Sequence, residues 1–423
     1  MLQVAVLRQD PDRVKKKLAF KYFQETGLVD DIIALDDRRK KLQQDFDGTQ
    51  SLVNTASREI GQMMAKGEKE AAEQKKAEVA NWKASLQPIQ AALAETEKSL
   101  QDTLVRLPNL PADIVPEGRT PADNLMVREG GIKPALDKGA QPHWDLIRKY
   151  DIIDFETGAK LTGSGFPLYK GKGARIQRAL IQYFLDYNTN AGYTEYLPPL
   201  MVNEATAYGT GQLPDKEAQM YHMPADNFYM IPTAEVPVTN IYRDSMLKES
   251  DLPIRMTAYT PCFRREAGSF GKDVRGLNRV HQFDKVEIVQ LVDPARSPEA
   301  LDAMVAHVEA LLNSLELPYR ILRLCGGDMS FASALTYDFE VWSAAQEKWL
   351  EVSSVSNFES FQSNRMKIRF KDASGKPQLV HTLNGSSLAL PRILAALLEN
   401  NQGPEGIRIP GVLRPYFGAE LLS

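Results

Sequence analysis

Between residues 30 and 107 the apolar positions step by three and four along a charged stretch that is poor in proline and aromatics. One stripe runs Ile32, Leu35, Arg39, Leu42, Phe46, Thr49, Val53, Ala56, Ile60, Met63. A turn signal at Ala65-Lys66-Gly67-Glu68 follows, and a second stripe runs Val79, Trp82, Leu86, Ile89, Leu93, Thr96, Leu100, Thr103, Leu107. Two such stripes around a tight turn predict an antiparallel helical hairpin. Helices of roughly 35 residues at about 1.5 Å per residue would extend on the order of 50 Å. The same pattern suits a dimerising coiled coil, and the clusters Arg38-Arg39-Lys40-Lys41 and Lys75-Lys76 suit either phosphate contacts or solvated helix faces. Gly48 lies 19 residues before Gly67 and Pro88 lies 21 after it, so the two helix-weakening residues share one level of the hairpin and suggest a bend or hinge there.

Pro108, Pro111 and Pro116 end the second helix, because proline lacks the backbone donor and clashes with the preceding turn. The boundary divides an N-terminal region (1–110, hairpin about 30–107) from a larger domain (111–423). Beyond it, short β-rich segments at 228–234, 254–266, 280–292, 319–324, 337–342, 349–354, 366–370 and 379–383 alternate with Gly/Pro turns. Helical patterns intervene at 174–188, 297–315 and 392–400. Many consecutive strands with few helices between them predict an α+β domain built on a large antiparallel sheet.

Composition alters this picture little. The 423 residues carry 51 Lys+Arg against 55 Asp+Glu, so bulk charge announces no nucleic-acid partner. No apolar run approaches the length of a membrane span, and the first residues suit neither a secretory signal nor a transit peptide, so a cytosolic protein is expected. Cys262 and Cys325 are too few for a disulfide framework, and the five histidines show no metal-ligand spacing.

Neither GxxxxGK[ST] nor a strand-to-helix GxGxxG occurs, so a bound nucleotide would have to be held by side chains. The densest candidate is Phe263-Arg264-Arg265-Glu266, then Arg275, Arg279 and Val280, then His281-Gln282-Phe283-Asp284-Lys285-Val286-Glu287. Strand alternation puts Arg264 with Glu266, and Phe283 with Glu287, on one face of a hairpin and turns Arg265 away. A guanidinium for phosphate, a ring for adenine and carboxylates for amino groups are what an adenylating site needs; scattered ion pairs on a surface hairpin would read similarly. Glu351-Val352-Ser353-Ser354 adds oxygen donors suited to Mg²⁺, although alternation pairs Glu351 with Ser353 unless the strand ends or bulges after Val352.

Taken together these segments resemble class II aminoacyl-tRNA synthetases, and among them the seryl enzymes, over nearly the whole chain. Residues 192–201 (GYTEYLPPLM) resemble the first class motif, 263–266 with 281–283 the second, and 384–392 (NGSSLALPR) the third, in which Ser387 and Pro391 stand where glycines are usual. Thr233-Ala234-Glu235 resembles the family's amino-acid-binding loop. The resemblance implies ATP-dependent activation of L-serine and transfer to serine tRNA through the helical arm. It also implies a homodimer through the first motif and Mg²⁺ accompanying ATP; whether a selenocysteine tRNA is charged too stays open. It implies serine binding by Thr233, Ala234, Glu235, Glu287 and Ser386, and Mg²⁺ binding by Glu351 and Ser354. Arg264 would meet the α-phosphate, Glu266 the adenine amino group, and Phe283 and Arg392 the adenine faces. Arg265, Arg275, Arg279, Val280, Val352 and Ser353 complete the implied ATP site, with Arg264 and Arg392 as its catalytic pair.

Overall fold

The computed structural model describes residues 1–215, 218–266 and 275–423. The chain forms two compact units. One comprises 2–19 and 23–108; the other comprises Met1, 20–22 and 109–423.

The first unit contains helices α1 (Val4–Gln9), α2 (Pro11–Phe20), α3 (Leu28–Lys66) and α4 (Lys69–Leu104). Every position of both predicted stripes is buried or half-buried; up to Thr103 the stripes run along α3 and α4, which pack on each other, and Leu107 lies past the end of α4. Val53, Ala56 and Val79 form the dry centre of that packing, flanked by Ile60, Trp82 and Leu86. Gly67 turns the chain at φ 81°, where a side chain would be strained. Its N–H bonds Met64 O at 3.2 Å, and the next N–H, from Glu68, bonds Met63 O at 2.9 Å, satisfying carbonyls at the end of α3. Near the base of α3, buried Asp36 accepts from Arg8 of α1 at 2.8 Å and Arg39 at 2.9 Å and pairs with Lys40 at 2.9 Å. Burial alone would push its carboxyl up, but the three cations outweigh that and hold it at about 2.

Both long helices continue without a break through Gly48 and Pro88, so the expected weak level is not a break in secondary structure. A Cβ added at Gly48 would meet nothing within 4 Å. Gly48→Ala should therefore stabilise the arm by up to about 1 kcal/mol, and Pro88→Ala by up to about 3 kcal/mol, from backbone entropy and a recovered hydrogen bond. Thermal unfolding and slower amide exchange around both positions would register this; unchanged exchange in the double variant removes the hinge.

The second unit is built on an eight-stranded sheet in the order β1-β5-β6-β7-β8-β4-β3-β2. The strands are β1 (Leu125–Gly130), β2 (Thr194–Glu195), β3 (Ile254–Phe263), β4 (Gln282–Val292), β5 (Tyr319–Arg323), β6 (Leu335–Ser343), β7 (Lys348–Glu359) and β8 (His381–Ala389). All neighbours are antiparallel except β2 with β3. Helices α5 (Lys172–Asn190), α7 (Ser297–Ser314) and α9 (Leu390–Asn400) cover one face; α6 (Glu235–Thr239) and α8 (Phe361–Met366) are short. The core joins Ile176, Leu180 and Phe184 of α5, Met304 and Val308 of α7, and Ile393 and Leu397 of α9 to Val286, Ile288, Phe339 and Val355 of the sheet. The α+β architecture expected from the strand pattern is thus present.

Several boundaries differ from the pattern: the strand expected at 349–354 runs on to Glu359, and that expected at 379–383 spans the end of one strand (Pro377–Leu379) and the start of the next (His381–Ala389). The segment expected at 228–234 is extended only over Phe228–Met230; Pro232 cannot extend the ladder, and Thr233-Ala234 lead into α6. The strand expected to reach 266 ends at Phe263, and Glu266 takes φ 47°. The segment at 366–370 begins as the end of α8, which Lys367 closes at φ 53°, before a strand at Arg369–Lys371. Pro391 occupies the first turn of α9, where its missing N–H has no helical partner to lose. Ser387 is fully buried and donates to Asn188 Oδ1 of α5 at 2.9 Å, a tie that glycine could not make.

Candidate functional site

The sheet face opposite the helices lines a cavity of about 1020 Å³. On β4 the two-residue period sends Val286 and Ile288 into the core and Phe283, Lys285 and Glu287 to the cavity. Ser386 of β8 pairs with Glu287 in the ladder and lines the same space.

One part of the cavity is a buried acid pocket. Glu287, 1% exposed, accepts from Asn384 Nδ2 at 2.6 Å and Thr233 Oγ1 at 3.2 Å, and lies 2.8 Å from the Lys285 ammonium. Glu235, at the start of α6, accepts from Gln362 Nε2 at 2.6 Å, while Gln362 Oε1 accepts from Thr382 Oγ1 at 2.6 Å. Burial pushes the Glu235 carboxyl up to about 7, opposed by the Gln362 hydrogen bond and reinforced by the Glu287 charge. Burial also raises Glu287, with Lys285, Thr233 and Arg264 pulling it down. Two buried carboxyl groups with a single ammonium, Lys285, beside them, rimmed by hydroxyls, have the chemistry to take a small ammonium compound that carries a hydroxyl.

The other part is cationic and aromatic. The Arg264 guanidinium stands 5.3 Å from the Phe283 ring centre, and its Nε donates to Pro232 O at 3.4 Å. Arg392, from the first turn of α9, donates from Nε to Asn278 O at 2.9 Å and from an Nη to Glu351 O at 2.8 Å. Glu266 accepts from Arg279 at 2.7 Å, and its left-handed backbone is uncommon for a non-glycine residue. Val280 and Arg279 also line this wall.

On β7 the pairing passes from Phe339↔Ser353 to Glu340↔Glu351, so one extra residue bulges out of the strand. Val352 and Ser353 are consequently both buried, and Glu351 and Ser354 share the cavity face despite their spacing of three. The bulge invoked to reconcile those two positions is present. The Ser353 hydroxyl donates to Ser386 O at 2.6 Å, and Val352 belongs to the core. Ser354 donates to Asp338 Oδ1, and burial, followed by the nearby Glu351 charge, raises the Asp338 carboxyl well above the usual range. Among the described residues no group of three His, Cys, Asp or Glu side chains could hold a metal by itself.

Of the residues singled out in the sequence, Thr233, Glu235, Arg264, Glu266, Arg279, Val280, Phe283, Glu287, Glu351, Val352, Ser353, Ser354, Ser386 and Arg392 line this one cavity. Three do not. Ala234 packs in the core with Val238 and Met256; Arg265 is exposed; Arg275 stands 5.9 Å from the Trp144 ring centre and lines a neighbouring cavity of about 950 Å³. Arg265 lies past the end of β3, where its N–H bonds Gln219 O at 2.9 Å and its side chain stays exposed. Lys285, Asn384 and Gln362 were not anticipated. The alternation through Phe283 and Glu287 signals Lys285, and Asn384 opens the third motif, but nothing in the sequence around Gln362 marks it.

Comparison with known proteins places this geometry in context. The sequence model of the seryl-tRNA synthetase N-terminal domain matches residues 1–111, and that of the class II tRNA synthetase core domain (G, H, P, S and T) matches residues 221–401. The chain is 50% identical over 420 residues to the serine–tRNA ligase of Salinibacter ruber, covering 99% of this chain and 98% of that one. It is 47% identical over 424 residues to that of Methylacidiphilum infernorum, with complete coverage of both. The crystal structure of the seryl-tRNA synthetase from Pyrococcus horikoshii complexed with ATP superposes with TM-score 0.92 at 32% identity, covering 99% of each chain.

Proposed function

The chain belongs to the family of seryl-tRNA synthetases, and from that premise we propose that it joins the carboxylate of L-serine to the α-phosphate of ATP, releases pyrophosphate, and passes the seryl group to a tRNA. The observation that carries this reading is one cavity holding a buried Glu235–Glu287 pocket beside a wall of Arg264, Phe283 and Arg392.

Serine's ammonium is taken by Glu235 and Glu287, and its hydroxyl by the rim of Thr233 and Ser386. A substrate lacking that hydroxyl would leave buried partners unpaired, which such sites reject strongly. Adenine lies between Phe283 and Arg392, with Glu266 accepting from its amino group. Arg264 meets the α-phosphate, whose charge grows as the serine carboxylate attacks in line. In the activation step the nucleophile is already an anion, so the chain's contribution there is orientation and charge stabilisation, with no general base.

Glu351 and Ser354 fit Mg²⁺. They are oxygen donors on one face, and Mg²⁺ is commonly held by one or two carboxylates plus substrate phosphates. When bound it would neutralise phosphate charge. Arg279, Val280, Val352 and Ser353 complete the nucleotide set on this cavity; Arg275, on the neighbouring cavity, and Arg265, exposed and lining neither, have no support from it.

The helical arm is assigned to the tRNA and a homodimer to the surface around residues 192–201, where Leu197 is 87% exposed and Met201 51% exposed. No helix among the described residues is long and apolar enough to cross a membrane. A cytosolic location goes with this reading.

Serine-dependent ATP–pyrophosphate exchange, followed by charging of total tRNA, tests the proposal; exchange supported by another amino acid and not by serine overturns it. The raised Glu235 carboxyl adds a pH signature. Protonated Glu235 loses its attraction for the ammonium, so the serine KM should rise as pH falls through about 7, approaching tenfold per unit at most. The sign for stability is opposite. A folded pKa above the unfolded one stabilises the protein at low pH, and that stability is lost as pH rises through about 7. Serine should therefore raise the melting temperature more at high pH than at low pH. A serine KM flat across this range, with exchange intact, removes Glu235 from the ammonium site.

A further inference from the structure

Asn278, one of the two residues whose carbonyls accept from Arg392, is itself held by a network that reaches away from the cavity. His143 is fully buried; its Nδ1 lies 2.8 Å from Glu399 Oε1, which also accepts the His143 main-chain N–H at 2.9 Å. The Leu277 N–H donates to His143 Nε2 at 2.9 Å. An Nε2 that accepts carries no proton, so the ring proton sits on Nδ1 and is directed at the carboxylate. Gly276 closes in on the same ring: its φ is 59°, and a Cβ there would stand 2.3 Å from Nε2. A second line runs through Gln346, whose Nε2 donates to Glu399 Oε1 at 2.9 Å and whose Oε1 accepts from Asn278 Nδ2 at 2.9 Å. Ser343 also donates to Glu399. Both lines converge on Leu277-Asn278, and the Asn278 carbonyl accepts from Arg392 Nε. Glu399 and Arg392 lie at opposite ends of α9, so the helix clamps this segment at both its ends.

We propose that His143 is a positioning residue of the nucleotide site: as an Nδ1-protonated, neutral ring fixed by Glu399, it holds Leu277-Asn278 and thereby sets the plane of the Arg392 guanidinium against adenine. The inference rests on the assignment of ATP to this cavity. It requires a lone pair at the Nε2 position, not merely a side chain of suitable bulk, and two substitutions separate those demands. Glutamine reaches as far as Nε2 and can present an oxygen to the Leu277 N–H. Asparagine reaches only as far as Nδ1, so it keeps a donor for Glu399 and leaves the Leu277 N–H unpaired.

The experiment measures ATP affinity by titration calorimetry, the KM values for ATP and serine in pyrophosphate exchange, and melting temperature, on the full chain with His143→Asn and His143→Gln. Asparagine should weaken ATP binding and raise its KM by about tenfold, the scale of one buried donor left unpaired, with the serine KM unchanged. Glutamine should stay within about threefold of the parent even where its melting temperature also falls. Equal ATP affinity for the parent and His143→Asn, or equal losses in both variants, overturns the proposal. If His143→Asn does not fold, Gln346→Leu cuts the second line at a half-buried position and must weaken ATP binding in the same direction; parent-like affinity there overturns the proposal as well. Failure of the parent itself to exchange pyrophosphate with serine refutes the functional reading, whereas calorimetry with ATP still tests the clamp.

Discussion

Glu287→Gln should lower kcat/KM for serine in pyrophosphate exchange by on the order of a hundredfold or more, about 3 kcal/mol or above, while ATP binds within a few-fold of the parent. The substitution keeps the side chain's shape and an acceptor for Asn384. It removes the charge that the serine ammonium would meet and leaves the Lys285 ammonium, 2.8 Å away and buried, without its partner. Removing one member of a buried charge pair costs more than the pair itself contributes, because the survivor stays desolvated. Exchange at subsaturating serine isolates this loss, and calorimetry with ATP verifies that the nucleotide wall is intact. Near-parent exchange under those conditions would dismiss Glu287 as the serine ligand.

Replacing the outer part of the arm, residues 45–90, with a short Gly/Ser turn should reduce tRNA charging by on the order of a thousandfold, since phosphate contacts supply much of the affinity for nucleic acid. Serine-dependent exchange should persist. The cut spares Ile32 and Asp36 of α3 and Leu100 and Leu104 of α4, the buried base of the hairpin, with the Arg8–Asp36 tie to α1. It removes the Val53–Val79 contact and everything beyond it. Sedimentation separates the two meanings of a long helical hairpin. A truncated protein that remains dimeric and active in exchange agrees with an arm for tRNA; a monomeric one would return the arm to the coiled-coil-dimer reading.

The arm was legible because its interactions are local in sequence. A stripe with a period near 3.6 must bury against something, and Gly67 with its left-handed φ brings a close partner, the stripe that follows. The cavity face of β4 was legible for a similar reason: alternation through Phe283, Lys285 and Glu287 needs no knowledge of the rest of the fold. Where the pattern failed, long-range geometry had intervened. Arg264 and Glu266 both reach the cavity, but from beyond the end of β3 and with a positive φ at Glu266, not by strand alternation. Glu351 and Ser354 share a face only because β7 bulges against β6.

Short-range periodicity, with the three motifs through which the chain resembles its family, therefore sets the helical hairpin, the α+β class and the residue types that an adenylating site requires. Only the tertiary structure decided which of those residues meet. It buried Glu235, which raises its carboxyl to about 7 against the opposing hydrogen bond from Gln362, 127 residues away in the chain. It brought His143 to Leu277 across 134 positions and to Glu399 across 256. The physical reason is that a hydrogen bond or a desolvated charge depends on distance and burial, and neither is written in the spacing of residues along the chain.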